Sequence, residues 1–283
     1  LVAVGFLTVG IGLKLGLFPV HLWLPNAYTY APSVVTAFLA ATATKVSVYV
    51  LLRIYFTFFG AGIFKSLPLD SILLILGLIA ALTMPAVAIF QDNAKRLLAY
   101  SSVAQIGYMV IGISLVTATG VMASILHLFN HALIKAALFL VLACVFFRIR
   151  TVRIDDMAGL GQSMPFTMAA FVLAGFSLIG IPPTVGFISK WFLISAALEK
   201  GWWGVAVVVL AGSLLAFIYF WKVIEVAYFR PRPEGAAAIA EVPVYMLVPV
   251  WMLVGANIFF GVNTNLSVGT ARRAAEFLIG GGG

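Results

Sequence analysis

The stretch SILLILGLIAALTMPAVAIFQ, Ser71 to Gln91, holds no acid, base or histidine over a length sufficient to cross the hydrocarbon core of a bilayer. Leu97 to Leu126 forms a second such run. Barrel strands would show roughly ten-residue stretches of alternating polarity, so both runs read as helices. Working outward from them, long apolar runs separated by short charged spacers recur along the chain. Of its 283 residues, 63% are apolar and 9% charged, whereas soluble domains carry about a quarter charged residues. A soluble enzyme is excluded. The fold class is an all-α polytopic membrane protein.

Apolar runs bounded by Pro, Gly and charge predict eight transmembrane helices, at about 1–20, 32–59, 71–91, 97–116, 119–147, 165–198, 202–229 and 243–262. The membrane domain covers 1–264; residues 265–283 read as a C-terminal interfacial segment or loose tail, with Gly280 to Gly283 as its end. The spacers after the third, fifth and seventh spans carry Lys95, Arg96, Arg148, Arg150, Arg153, Arg230 and Arg232, against Lys65, Lys200, Arg272 and Arg273 on the other face. The positive-inside rule turns the first group to the cytoplasm and both chain ends outward. The formal charge of +8 is thus explained by the bilayer, and no basic, aromatic-interleaved tract speaks for nucleic acid. Cys144 is the only cysteine, which rules out an intrachain disulfide, a cysteine-built metal site and an iron–sulfur cluster. No Gly-rich nucleotide turn follows a strand, so no cofactor is expected. The chain starts inside an apolar run without an initiator Met, which reads as the C-terminal piece of a longer protein.

Two spans are predicted to be broken. Gly180, Pro182 and Pro183 interrupt the sixth, and Pro19 and Pro25 interrupt the end of the first. Proline removes an amide donor and clashes with the preceding turn, and unwound backbone at membrane depth is tolerated where protein buries it or water reaches it. Such breaks mark ion pathways in transporters, although a single proline, Pro85 for one, also serves packing alone.

Function is carried by the bases inside the spans: Lys14, Lys45, His127, His131, Lys135 and Lys190. A lysine at the bilayer centre costs about 2.5–3.5 kcal/mol on insertion scales, so such residues face a bundle interior and serve a relay. His127, His131 and Lys135 stand at i, i+4 and i+8, one helix stripe over about 12 Å. Either histidine taken alone could be structural. Zinc on the histidine pair lacks a third ligand, and no metal is expected. Arg53 reads as a snorkelling or structural residue. Lys222 and Glu225, three apart, suggest a local ion pair. None of the nine acids falls in the middle of the first six spans, so any carboxylate partner for the lysines must come from elsewhere.

The blocks Lys14-Leu15-Gly16-Leu17-Phe18-Pro19-Val20-His21-Leu22-Trp23-Leu24-Pro25-Asn26-Ala27 with Ala31 to Val35, Asp92 to Ser102 with Gln105 to Tyr108, His127 to Phe139, and Gly180 to Lys190 resemble the antiporter-like subunits shared by Mrp-type cation/proton antiporters, respiratory complex I and membrane-bound hydrogenases. The resemblance runs from about residue 5 to residue 230. It implies a fold of about fourteen helices with two inverted repeats, of which this chain would supply the second part. Lys14 would then be the central broken-helix lysine, Lys45 the bridging lysine, His127, His131 and Lys135 the relay, and Lys190 the outlet lysine. The glutamate that partners the central lysine belongs to an earlier helix. The resemblance further implies a multi-pass protein of a prokaryotic cell membrane, surrounded by other membrane subunits and lipid, that moves protons, with sodium left open, and performs no catalysis of its own. Val242 to Leu266 is more similar to the Mrp D-type subunit, which favours sodium/proton exchange; the alternative is a proton-pumping subunit of a redox enzyme of the complex I or hydrogenase kind.

Overall fold

The side chain of Asn93 accepts a hydrogen bond from the Arg96 amide at 3.2 Å, and that of Thr117 accepts from Gly120 at 3.0 Å. These two N-caps start the helices at the centre of the bundle. The computed structural model describes residues 2–60, 62, 66–232 and 238–280; Lys65, Glu234 and Gly281 to Gly283 lie outside it. The helices are α1 Val2–Leu15, α2 Trp23–Tyr30, α3 Ser33–Leu52 continued by a π-helical turn Arg53–Phe58, α4 Leu69–Ile89, α5 Ala94–Ser114, α6 Ala118–Ile149, α7 Pro165–Ile179, α8 Val185–Glu199, α9 Trp203–Phe229, α10 Val244–Val262 and α11 Asn265–Gly280. Among the described residues the sole strand-like feature is the isolated backbone bridge between Asn93 and Arg153. Among the described residues six helices are long and apolar enough to span a membrane.

The eight expected spans are recovered, two of them as broken pairs: α1 with α2, and α7 with α8. Pro85 leaves α4 continuous. Pro25 does not break a helix but lies in the first turn of α2, where no amide has an intrahelical partner and proline is therefore tolerated.

At 32 residues α6 is about 48 Å long, well beyond a hydrocarbon core of about 30 Å. It is the axis of the bundle, packed by α3, α5, α7, α8, α10 and α11. Its C-terminus closes at Arg150 in the left-handed conformation. The most enclosed span is α5, 94% buried, although Ser101, Ser102 and Gln105 make it the least apolar. Protein, not lipid, surrounds it, so polar side chains can be satisfied there. On α9, by contrast, Val207, Leu210, Leu214, Phe217 and Trp221 are exposed, forming a face for lipid or a neighbouring helix.

Two tethers hold the loops of the basic face. Lys222 donates to the carbonyls of Ile89 and Gln91 and approaches the Asp92 carboxylate at 3.4 Å. It therefore caps the end of α4 and does not pair with Glu225, which instead meets Arg230 at 3.4 Å; carbonyls left without amide partners at a helix end outbid a neighbour along the same helix. Glu241 supplies the N-cap of α7 from far along the chain, accepting from the Phe166 and Thr167 amides at 2.9 and 3.1 Å, while its own carbonyl receives Arg148. Residues 265–280 of the expected tail form α11, which lies on α6 with Ala271 and Ala275 buried and Arg272, Arg273 and Glu276 outward.

Candidate functional site: a buried lane of lysine and histidine

One stripe of α6 carries His127, His131 and Lys135, all buried. The two imidazoles lie nearly parallel, 7° apart in plane with centroids at 6.1 Å. Lys135 is anchored on α5, donating to the Leu98 carbonyl at 2.7 Å and the Ser101 hydroxyl at 2.5 Å. His131 lacks such anchors; among the described residues neither of its buried ring nitrogens meets a hydrogen-bond partner. His127 is held on both sides, by Gln105 Oε1 of α5 at Nε2 and by Ser189 Oγ of α8 at Nδ1, each at 2.9 Å. Since an amide oxygen only accepts, the imidazole carries its proton on Nε2 and accepts from Ser189.

Lys190 follows Ser189 and stands at the second helix break. Its ammonium donates to the carbonyls of Leu178 and Ile179, at 3.0 and 2.8 Å, and to Ser213 Oγ of α9 at 2.9 Å. Those carbonyls are free because α7 stops at Gly180, whose φ of 94° is left-handed, and because Pro182 and Pro183 offer no amide. A cation at the C-terminal end of α7 is also favoured by the helix dipole. The approach of α8 is tight: a Cβ on Gly186 would fall 1.7 Å from the Ser177 carbonyl oxygen. Tyr108 fills the corner, its ring edge-on to His127 at 5.7 Å and its face 5.2 Å from the Lys190 ammonium, a distance suited to a cation–π contact.

On the other flank Lys45 of α3 is buried, donating to the Ala40 carbonyl and to Thr44 at 3.3 Å. It lies within electrostatic range of both His131 and Lys135. Lys45, Lys135, His131, His127 and Lys190 are thus all buried, on α3, α6 and α8.

Lys14 departs from the expectation of burial. It lies exposed at the end of α1, on a helix whose Phe6, Val9 and Leu13 are exposed as well, because none of the described residues packs over that side of α1. At the first break Trp23 Nε1 donates to the Leu13 carbonyl at 2.7 Å, and Lys95 reaches the Ala31 carbonyl at 3.0 Å. Lys95, read from sequence as a loop residue, is therefore buried and closes the end of α2. Pro19 is exposed in the turn between α1 and α2, and Pro182 and Pro183 are exposed between α7 and α8. Gln105, Ser189, Ser213 and Tyr108 are site residues that the search for charged groups passes over. Ser101, Gln105 and Tyr108 did carry a signal, since i, i+4 and i+7 place them on one face.

Such a helical membrane fold, with protonatable nitrogens buried on α3, α6 and α8, defines a class of polytopic membrane subunit. Residues 1–216 match the transmembrane family described as NADH:quinone oxidoreductase/Mrp antiporter, and the chain belongs to that family. NADH-quinone oxidoreductase subunit N of Desulforudis audaxviator is 44% identical over 248 residues, covering 86% of this chain and 48% of the relative. Among solved structures, a chain of the Mrp complex from a Dietzia species superposes with a TM-score of 0.92 at 26% identity, covering 98% of this chain and 59% of that one. A chain of respiratory complex I from Thermus thermophilus does so with a TM-score of 0.76 at 28% identity, covering 94% and 58%. The chain spans about half the length of the curated relatives it matches.

Proposed function

We propose that this chain conducts protons along the lane from Lys45 through Lys135, His131 and His127 to Lys190, as part of a membrane subunit of a redox-driven complex of the NADH:quinone oxidoreductase kind. The observation that carries the reading is the His127 bridge: one imidazole bonded to α5 and α8 at once joins the histidine stripe to the lysine at the second break. A ring held at both nitrogens relays a proton by accepting at one and releasing at the other. His131, with no hydrogen bond to break among the described residues, passes charge between Lys135 and His127.

Lys14, in this reading, receives its counter-charge from a carboxylate on a neighbouring helix, and other membrane subunits complete the assembly. The basic face carrying Arg148, Arg150, Arg153 and Arg230 is cytoplasmic by the positive-inside rule. The named sequence relative supports the redox-driven alternative over sodium/proton exchange, and the D-type resemblance gains no support from it. Sodium/proton exchange remains a second reading because the superposition on the Mrp chain reaches 0.92.

The test uses membrane vesicles that contain the full-length protein in its assembly. Electron-donor-driven proton uptake that disappears in Lys190→Ala, with the assembly intact, supports the lane. Normal uptake in that variant sinks it. Exchange driven by an imposed sodium gradient without any electron donor would transfer the chain to the second reading.

A further inference from the structure

Away from the lane, Leu173 of α7 and Trp221, Ile224, Tyr228 and Phe229 of α9 line an open apolar cavity of about 490 Å³. Adjoining it, Gln162, Ser163, Arg230 and Arg232 line a polar cavity of about 350 Å³, and Tyr228 and Phe229 belong to both. The shared wall is built closely: a Cβ on Gly161 would lie 2.5 Å from the Tyr228 ring, so only glycine admits that ring there. The apolar part opens onto the exposed flank of α9, where Trp221 is 45% and Phe229 68% exposed. The polar part sits where α9 ends and the basic loops begin.

Aromatic side chains at the end of a span belong to the level of lipid headgroups, and basic pockets between spans at that level take anionic headgroups. Arg230 faces Asp155 and Glu225, each at 3.4 Å. Among the described residues Arg232 makes no ion pair, and Arg148, Arg150 and Arg153 add positive charge to the same face. An occupant that fits must be apolar over one part, anionic over the next, and reach the site from the side of the membrane.

We propose that the two cavities together hold one anionic phospholipid. One acyl chain lies along Leu173 and Trp221, and the phosphodiester sits at Arg232 and Arg230 within reach of Ser163 and Tyr228.

The experiment uses membranes containing the full-length protein in its assembly and a phosphatidylglycerol probe with a photoreactive group in one acyl chain, the labelled peptides being mapped by mass spectrometry. Labelling is expected on the segments around Leu173 and Trp221. It should fall about tenfold, the ratio set by about 1.4 kcal/mol, both in Arg232→Ala and in Leu173→Trp, which fills the groove, and return in Arg232→Lys. Millimolar glycerol phosphate should leave it unchanged. Four outcomes overturn the proposal: labelling insensitive to Arg232→Ala and Leu173→Trp, equal labelling by a phosphatidylcholine probe, displacement by glycerol phosphate, or a neighbouring subunit cross-linked to Trp221 in place of lipid.

Discussion

Replacing Gln105 by leucine removes the acceptor at His127 Nε2 with little change in side-chain volume. His127 is aligned by hydrogen bonds to two side chains, one on α5 and one on α8, each at 2.9 Å. A single hydrogen bond of this kind contributes about 0.5–1.5 kcal/mol net, which lowers the population of the aligned imidazole about 2- to 13-fold when that bond is lost. If relay through His127 limits transport, donor-driven proton uptake in vesicles falls by the same range. Ser189→Ala removes the opposite bond and should act similarly, and because both substitutions act on one ring, the double variant should not multiply the two losses. Thermal unfolding of the assembly provides the control, since the buried nitrogen left without a partner costs about 1–3 kcal/mol and the loss of uptake must appear at temperatures where all variants remain assembled. Uptake in the double variant equal to that of the unsubstituted protein would refute the view that proton transfer passes through an aligned His127.

Gly186→Ala places a Cβ 1.7 Å from the Ser177 carbonyl oxygen, so α7 and α8 must separate; a large drop in the yield of folded protein, read by detergent-solubilised size-exclusion chromatography, is expected, whereas Gly204→Ala, with open space around it, should be silent. Glu241→Ala removes the acceptor for the first amides of α7 and should destabilise by about 0.5–2 kcal/mol, the range for a lost N-cap, measured by thermal melting. Lys14→Ala should leave the thermal stability of this chain unchanged, since its side chain is exposed here, while coupled proton uptake is lost; retained uptake would remove Lys14 from the pathway.

The spans were readable because a run such as Ser71 to Gln91 has few ways to satisfy its backbone in lipid. The breaks were readable because glycine and paired prolines at 180–183 cannot continue a helix. Pro25 misled, since the same residue that ends one helix is accepted in the first turn of the next. The histidine stripe was visible from spacing alone. Its supports were not: Gln105 and Ser189 come from helices that no local pattern pairs, Lys95 resembles other loop bases, and Lys222 resembles a partner for Glu225, until the carbonyls they cap are located. Apolar runs likewise do not distinguish a protein-facing helix such as α5 from a surface one such as α10, 94% against 22% buried.

The enclosure of α5 has a consequence for how the protein is made. Ser101 and Ser102 bond carbonyls of their own helix, but among the described residues the side-chain oxygen of Gln105 is met only by His127 of the following span. A newly synthesised α5 entering the bilayer alone would therefore expose a polar group that lipid cannot satisfy. The strongly apolar α4, joined to it by the short Phe90 to Asn93 turn, can bring it in as a hairpin. In the finished fold His127 of α6 meets that oxygen at 2.9 Å, so a substitution of His127 should also weaken the hold of α6 on α5. Pulse-labelled insertion of chains truncated before and after α6 should show α5 entering with α4 and gaining further protease resistance once His127 has been synthesised.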